Sequence, residues 1–394
     1  MKRMLVLNLF PTAKPPITGG QIRYFNIYDK LSNYYDITLL SQSYRSEIIE
    51  FSSTFREYRV PKGPFHRHIT NSLIKELQCD RSGYELNLIK NIKLSNYPTA
   101  FKKQYDNLYA SSDIIIHESP YILGYDRHLG ADQKPRIYNS HNHDFLLAKQ
   151  IWTNNKAKKY LRLIYDLENK LAQYADLVFA TSEKEREGFI AMYNLDSEKV
   201  KLAPNGINPN EWLKRKESAN EKRTAFFIGA NYPPNIQAVD YIINHLANKC
   251  PHIDFIVAGG CCSPFQNQKM PNVTLLGKVN NRKKLDLFAN VDIAVNPIIS
   301  GAGVNIKTLE FLSAGIPLVS TEFGVRGLNL IDKKHYIKAE MDNFPDIINE
   351  FCHQKDLLKE MSSFGRNYIN DNYSWSKMAD NIKEEIENNV RSVC

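Results

Sequence analysis

The residues best suited to chemistry lie late in the chain, in the run Gly301-Ala302-Gly303-Val304-Asn305-Ile306-Lys307-Thr308-Leu309-Glu310. Glycine lets backbone N–H groups come close to a ligand. The helix expected to open after the run turns its positive end toward an anion, worth about 0.3–1 kcal/mol and more when buried. Lys307 falls in the first turn, where a cation opposes the macrodipole. It makes sense there when an anion is present and needs both. Glu310 stands three residues on, on the same face. A carboxylate does not bind phosphate, but it accepts hydrogen bonds from two neighbouring sugar hydroxyls. The run therefore suits a diphosphate linked to a sugar. The plainer alternative is a solvated Lys307–Glu310 i,i+3 pair behind an ordinary glycine turn.

Other segments are weaker. Pro15-Pro16-Ile17-Thr18-Gly19-Gly20 sits between a first strand and a first helix, the usual phosphate-facing turn of a doubly wound domain. It is neither a P-loop nor G-x-G-x-x-G, and Gly19-Gly20 alone also fits a tight turn. Asn139-Ser140-His141-Asn142-His143-Asp144 ends another strand. An H-x-H pair lacks a third anchored metal ligand, so one histidine is expected to hydrogen-bond substrate. His143, and His117 before Glu118, read as histidines satisfied within the fold. There is no G-x-S-x-G elbow. The six cysteines form no C-x-x-C pair, and no histidine stands at a zinc-ligand spacing from them. Cys261-Cys262, after Gly259-Gly260, is expected to end a strand.

Strands and helices alternate around these segments. Apolar runs at 4–10, 36–41, 113–117, 136–140, 177–181 and 200–203 read as strands buried on both faces. Helices are expected at 21–32 and 156–174, while the polar, basic residues 51–110 suit helices and excursions at the sheet edge. The charged run 214–222 has linker composition. Beyond it the pattern restarts, with strands at 225–228, 254–258, 273–276, 292–296 and 317–320 and helices at 235–248, 282–289 and 307–314. The expectation is an α/β chain of two doubly wound domains, 1–212 and 222–374, facing a cleft. A last helix, about 375–394 and capped by Ser374 or Ser376, is expected to return to the first domain. The length of 394 residues fits two such domains.

The net charge of +8 lies wholly in residues 1–218, with 32 Lys/Arg against 24 Asp/Glu, while 219–394 has 19 of each. A one-sided basic half points to an anionic partner, unless the charge has simply drifted. The stretch 51–103 holds ten Lys/Arg against four Asp/Glu but carries no RNA-binding signature, so nucleic acid is not expected as a partner. The sequence shows neither a secretory h-region nor a spanning apolar run, so a cytoplasmic protein with reduced thiols is expected.

Taken in order, the motifs resemble the retaining GT-B-fold glycosyltransferases of family 4 over nearly the whole chain. They are Gly19-Gly20, the run Ala175 to Ser182, Ala203-Pro204-Asn205-Gly206-Ile207-Asn208, Phe227-Ile228-Gly229, and above all Gly301 to Ser320. The resemblance implies a nucleotide-sugar donor held mainly by the second domain, through Gly229, Asn231, Gly301, Ala302, Gly303, Val304 and Asn305. It implies that Glu310, the second Glu of an E-x7-E motif, holds the ribose, that His141 faces the reacting sugar, and that the Gly19-Gly20 loop closes near the phosphates. It further implies no metal or other cofactor, front-face displacement, and a glycan or lipid-linked acceptor, with the basic first half near an anionic membrane at the inner face. Two departures stand out. The first Glu of the motif is Ala302, and the usual Arg and Lys fall near Ala230 and Ile236. Lys307 is therefore expected to supply the missing phosphate charge and, with His141 and Glu310, to form the catalytic set. The departures also admit a nucleotide-sugar-binding subunit without activity. A sugar-nucleotide epimerase of the same fold is a further alternative.

Overall fold

The computed structural model describes every residue except 14, 15, 17, 82, 132, 133, 214, 216–221, 302, 303 and 391–394. Most of the charged run read as a linker, and the Ala302 and Gly303 of the glycine run, lie outside the described residues. The chain forms two compact units. The first takes residues 1–16, 20–204 and 378–394, and the second takes 17–19 and 205–377.

The first unit is built on an eight-stranded sheet: β1 (Arg3–Asn8), β2 (Asp36–Ser43), β3 (Glu47–Ser52), β4 (Phe55–Pro61), β5 (Ile114–His117), β6 (Arg136–Asn139), β7 (Leu177–Ala180) and β8 (Val200–Leu202). Their order is β3-β4-β2-β1-β5-β6-β7-β8. All pairings are parallel except β3 with β4. β5, β6 and β7 are buried along their whole length, as continuous apolar runs in a helix-covered sheet require. The chain order reverses between β1 and β5, which opens a crevice at their carboxyl ends.

The second sheet holds β9 (Arg223–Ile228), β10 (Ile253–Ala258), β11 (Val273–Gly277), β12 (Ile293–Asn296), β13 (Leu318–Ser320) and β14 (Ile337–Lys338). Its order is β11-β10-β9-β12-β13-β14, parallel throughout, with the reversal between β9 and β12.

Several elements differ from the sequence pattern. The helix expected at 156–174 is two, Asn155–Lys158 and Leu161–Tyr174. The helix expected from 235 starts at Pro233, with two prolines in its first turn where their missing N–H groups cost nothing, and continues through a π turn at Ile242–Leu246. Cys261 and Cys262 do not end a strand. β10 stops at Ala258, and both lie buried in the 3₁₀ turn Gly260–Phe265.

The last helix is Trp375–Asn389, and Ser374 Oγ accepts from the Lys377 N–H at 3.3 Å. Ile382 and Ile386 of this helix meet Ile27, Leu31, Ile137 and Phe179 of the first unit around a small void.

Candidate active-site residues

In the first unit the loops after β5 and β6 carry a buried acid and a partly exposed imidazole. Glu118 follows β5 and is buried, and its Oε2 lies 2.5 Å from His141 Nε2. Its Oε1 accepts from the Tyr28 hydroxyl and, at 2.7 Å, from Asn139 Nδ2. Asn139 Oδ1 in turn accepts from Arg23 Nη2 at 2.9 Å. Burial and the Glu118 charge push the Tyr28 phenol well above its ordinary value, so it remains a donor. A carboxylate that accepts from Nε2–H leaves Nδ1 as the open ring nitrogen. That nitrogen lies on the side of Gly20, where a Cβ would stand 3.7 Å from Nδ1 and 3.2 Å from Phe10 Cζ. Glycine at 20 therefore keeps the ring approachable. Gly19 begins the same helix but groups with the second unit.

The other two histidines are structural. His143 stacks on Phe189 at 4.5 Å, with Nδ1 3.2 Å from Glu168 Oε2. Glu168 also accepts from the N–H groups of Asp144 and Phe145, so it caps the helix Asp144–Ile151 from outside. His117 is buried with Nε2 3.0 Å from Asp126 Oδ2, and Arg136 Nε binds the same oxygen at 2.9 Å. Burial alone would raise the Asp126 carboxyl. His117 and Arg136 outweigh it and hold the group well below the usual carboxylate range.

In the second unit β12 delivers the glycine run to the helix Ile306–Ser313. Gly301 has φ +110°, a conformation that side chains rarely adopt. A Cβ there would stand 3.6 Å from Arg326 Nη2. Val304 is buried and its carbonyl accepts from Asn205 Nδ2 at 2.9 Å. Asn305 is the helix N-cap residue, and its Nδ2 donates to the Gly324 carbonyl at 3.1 Å. Lys307 Nζ donates to Asn235 Oδ1 at 2.5 Å and lies 4.4 Å from the centre of the Phe227 ring. Burial pushes this amine down to about 7. Glu310 instead accepts from Lys284 Nζ at 2.6 Å. The solvated Lys307–Glu310 pair that the spacing allowed does not form, because each side chain takes a partner from another segment.

Asn235 also holds the turn after β9, donating from Nδ2 to the Ala230 carbonyl at 3.0 Å. The turn closes tightly. A Cβ on Gly229 would stand 2.7 Å from Asn235 Cγ, and one on Gly260 would stand 2.8 Å from the Asn231 nitrogen. Gly229, Asn231, Asn235, Gly301 and Lys307 thus share the carboxyl ends of β9 and β12, where the strand order reverses. Asn235, Lys284, Arg326 and Glu118, which contact or adjoin the expected site residues, were not expected from the sequence. Glu118 was visible beside His117, and Asn235 directly follows Tyr232-Pro233-Pro234. Lys284 and Arg326 carried no local signal.

Residues 222–351 match the family model described as Glycosyl transferases group 1, and residues 86–211 match that described as Glycosyltransferase Family 4. The chain belongs to the group 1 glycosyltransferases. This glycosyltransferase has the GT-B fold, shared with solved enzymes of that class. It is 21% identical to an uncharacterized 44.6 kDa protein in the cps region of Klebsiella pneumoniae, over 94% of this chain and 96% of that one. It is 24% identical to the O-antigen chain mannosyltransferase RfbU of Salmonella typhimurium, over 49% of this chain and 58% of that one. The solved structure of Anabaena Alr3699/HepE in complex with UDP-glucose aligns with a TM-score of 0.69 at 14% identity, covering 98% of this chain and 100% of that one.

Proposed function

We propose that the enzyme transfers a sugar from a nucleoside-diphosphate donor to a glycan or lipid-linked acceptor, with retention, in the assembly of a surface polysaccharide or glycolipid. The observation that carries this reading is Lys307 at a helix start beside Asn235, with Arg326 next to Gly301. Two cations and a helix N-terminus converge on one strand-end crevice, which suits a diphosphate. The UDP-glucose complex of the Anabaena structure and the O-antigen role of the Salmonella relative support the donor class and the pathway.

In this reading Lys307, Arg326 and the helix N-terminus balance the charge of the leaving diphosphate, so the transfer needs no metal. Glu310, oriented by Lys284, accepts from the ribose hydroxyls. His141, held by Glu118, contacts the donor sugar. The acceptor oxygen forms its bond to the anomeric carbon on the face from which the diphosphate oxygen leaves, and that oxygen takes the acceptor proton. The basic first half favours an anionic membrane or acidic glycan carrying the acceptor, at the cytoplasmic face.

The test is a thermal-shift panel of nucleoside diphosphates and nucleotide sugars, followed by donor turnover on pure protein. A ligand at a hundred times its Kd stabilises by about 2.7 kcal/mol. A shift accompanied by slow donor hydrolysis supports the enzyme. No shift with any member defeats the reading, and binding without turnover for any acceptor assigns the chain to a donor-binding subunit.

A further inference from the structure

The second unit carries another cluster of donor atoms at the amino end of β10, whereas Gly229 and Gly301 follow the carboxyl ends of β9 and β12. His252 immediately precedes β10, and Cys352-His353 follow the helix Phe344–Phe351. Though a hundred residues apart in sequence, the three residues bring one ring nitrogen from each histidine and Cys352 Sγ within 4.8 Å of one another. The two imidazoles lie nearly parallel, with centroids 5.8 Å apart and 22° between planes. Both histidines are exposed, whereas Cys352 is buried beneath them. The two segments are also tied, because Asn349 Nδ2 donates to the Lys249 carbonyl at 3.3 Å.

The geometry points to a zinc site made by His252, Cys352 and His353, with water as fourth ligand, joining the end of the helix Phe344–Phe351 to the start of β10. One thiolate and two imidazoles are a borderline-soft set that suits zinc over calcium or magnesium. Zinc bonds of about 2.0–2.3 Å place tetrahedral ligand atoms about 3.3–3.8 Å apart. The two imidazoles that must close from 4.8 Å are both exposed, so their rings have room to rotate.

On binding, Cys352 gives its proton to solvent and exchanges its hydrogen bond to the Asn349 carbonyl for the metal bond. Burial raises the Cys352 thiol overall and the nearby Arg223 charge offsets part of that, while Arg223 is itself paired with Asp292 at 3.0 Å. Cys250 is a neighbour but stands outside the group of donor atoms that lie within 4.8 Å of one another, and its Sγ donates to the Pro345 carbonyl. A pair of adjacent residues and a third a hundred positions away match no ligand spacing, so this site leaves no motif in the sequence. β10 spans about 20 Å, so the site stands well away from the transfer chemistry.

The test is titration of tag-free, chelator-stripped full-length protein with Co²⁺ and then Zn²⁺. The expected result is one equivalent of Co²⁺ bound with a thiolate-to-cobalt charge-transfer band, bleached by one equivalent of Zn²⁺. His252→Ala and His353→Ala, both surface changes, lose the band while keeping the circular dichroism of the parent, and Cys250→Ser keeps the band. Absence of the band in the parent, its survival in both histidine variants, or its loss in Cys250→Ser overturns the assignment.

Discussion

Replacing Lys307 with methionine tests the proposal that this side chain holds a diphosphate. Methionine keeps much of the length and loses the charge. The parent amine is held under the Phe227 ring against Asn235, and burial brings it down to about 7. At that value about half of the amines are charged at pH 7 and about one in a hundred at pH 9. A diphosphate that needs the charged form restores it on binding, so binding takes up a proton across this window. The sign follows. The free site is ready at and below pH 7 and progressively unready above it. UDP affinity of the parent should fall about fiftyfold from pH 7 to pH 9. Phosphate finishes ionising near pH 6 and contributes little to that trend. At pH 7 Lys307→Met should bind UDP about 10–100-fold more weakly, the worth of a charged hydrogen bond. Its affinity should then stay flat to pH 9. The assay is titration calorimetry in buffers of different ionisation enthalpy, which reads proton uptake directly. A parent affinity that stays flat with no proton uptake, or a fall that persists in Lys307→Met, refutes the role given to this amine.

Other outcomes follow from the same geometry. Glu118→Gln removes the carboxylate that holds His141 and should lower kcat about a hundredfold with donor KM nearly unchanged, so steady-state kinetics with unaltered kcat would count against the pair. Glu310→Gln strands Lys284 and should weaken UDP about 10–100-fold in the same calorimeter. Asp126→Asn leaves Arg136 and His117 buried without their acid and should cost about 3 kcal/mol in urea unfolding at pH 7. Because the folded Asp126 value is depressed, its contribution is complete above about pH 5 and declines as pH falls toward that value; the variant should lack this acid-side slope. Gly259→Ala forces a side chain onto φ +98° and within 2.1 Å of the Gly229 carbonyl, so a loss of at least about 2 kcal/mol in urea unfolding is expected, with weaker UDP binding.

Where strands are buried on both faces, as at β5, β7 and β12, apolar runs made them legible. β3 and β4 were not. β3 pairs antiparallel at the edge and exposes much of its length, and β4 carries Glu57 inward. A buried acid in a strand looks like a loop residue until its partners are seen, here Thr12, Ser41 and Arg59. The glycine run and its lysine were legible because backbone approach and a helix start leave local marks. What Lys307 and Glu310 bind was not, since Asn235 lies 72 positions from one and Lys284 26 from the other. Periodicity reports which face a residue takes, not which distant segment meets it.

The first unit is discontinuous, and this bears on how the chain is made. Its sheet is complete at β8, yet Ile382 and Ile386, which meet Ile27, Leu31, Ile137 and Phe179, belong to the last helix. The ribosome adds residues at about 5–20 per second, so some 190 further residues take about 10–40 s. During that interval the second unit is synthesised while the nascent first unit keeps an apolar strip open to water and to chaperones. Fragments ending near residue 204 carry the same open strip permanently and are expected to aggregate rather than form a smaller soluble domain.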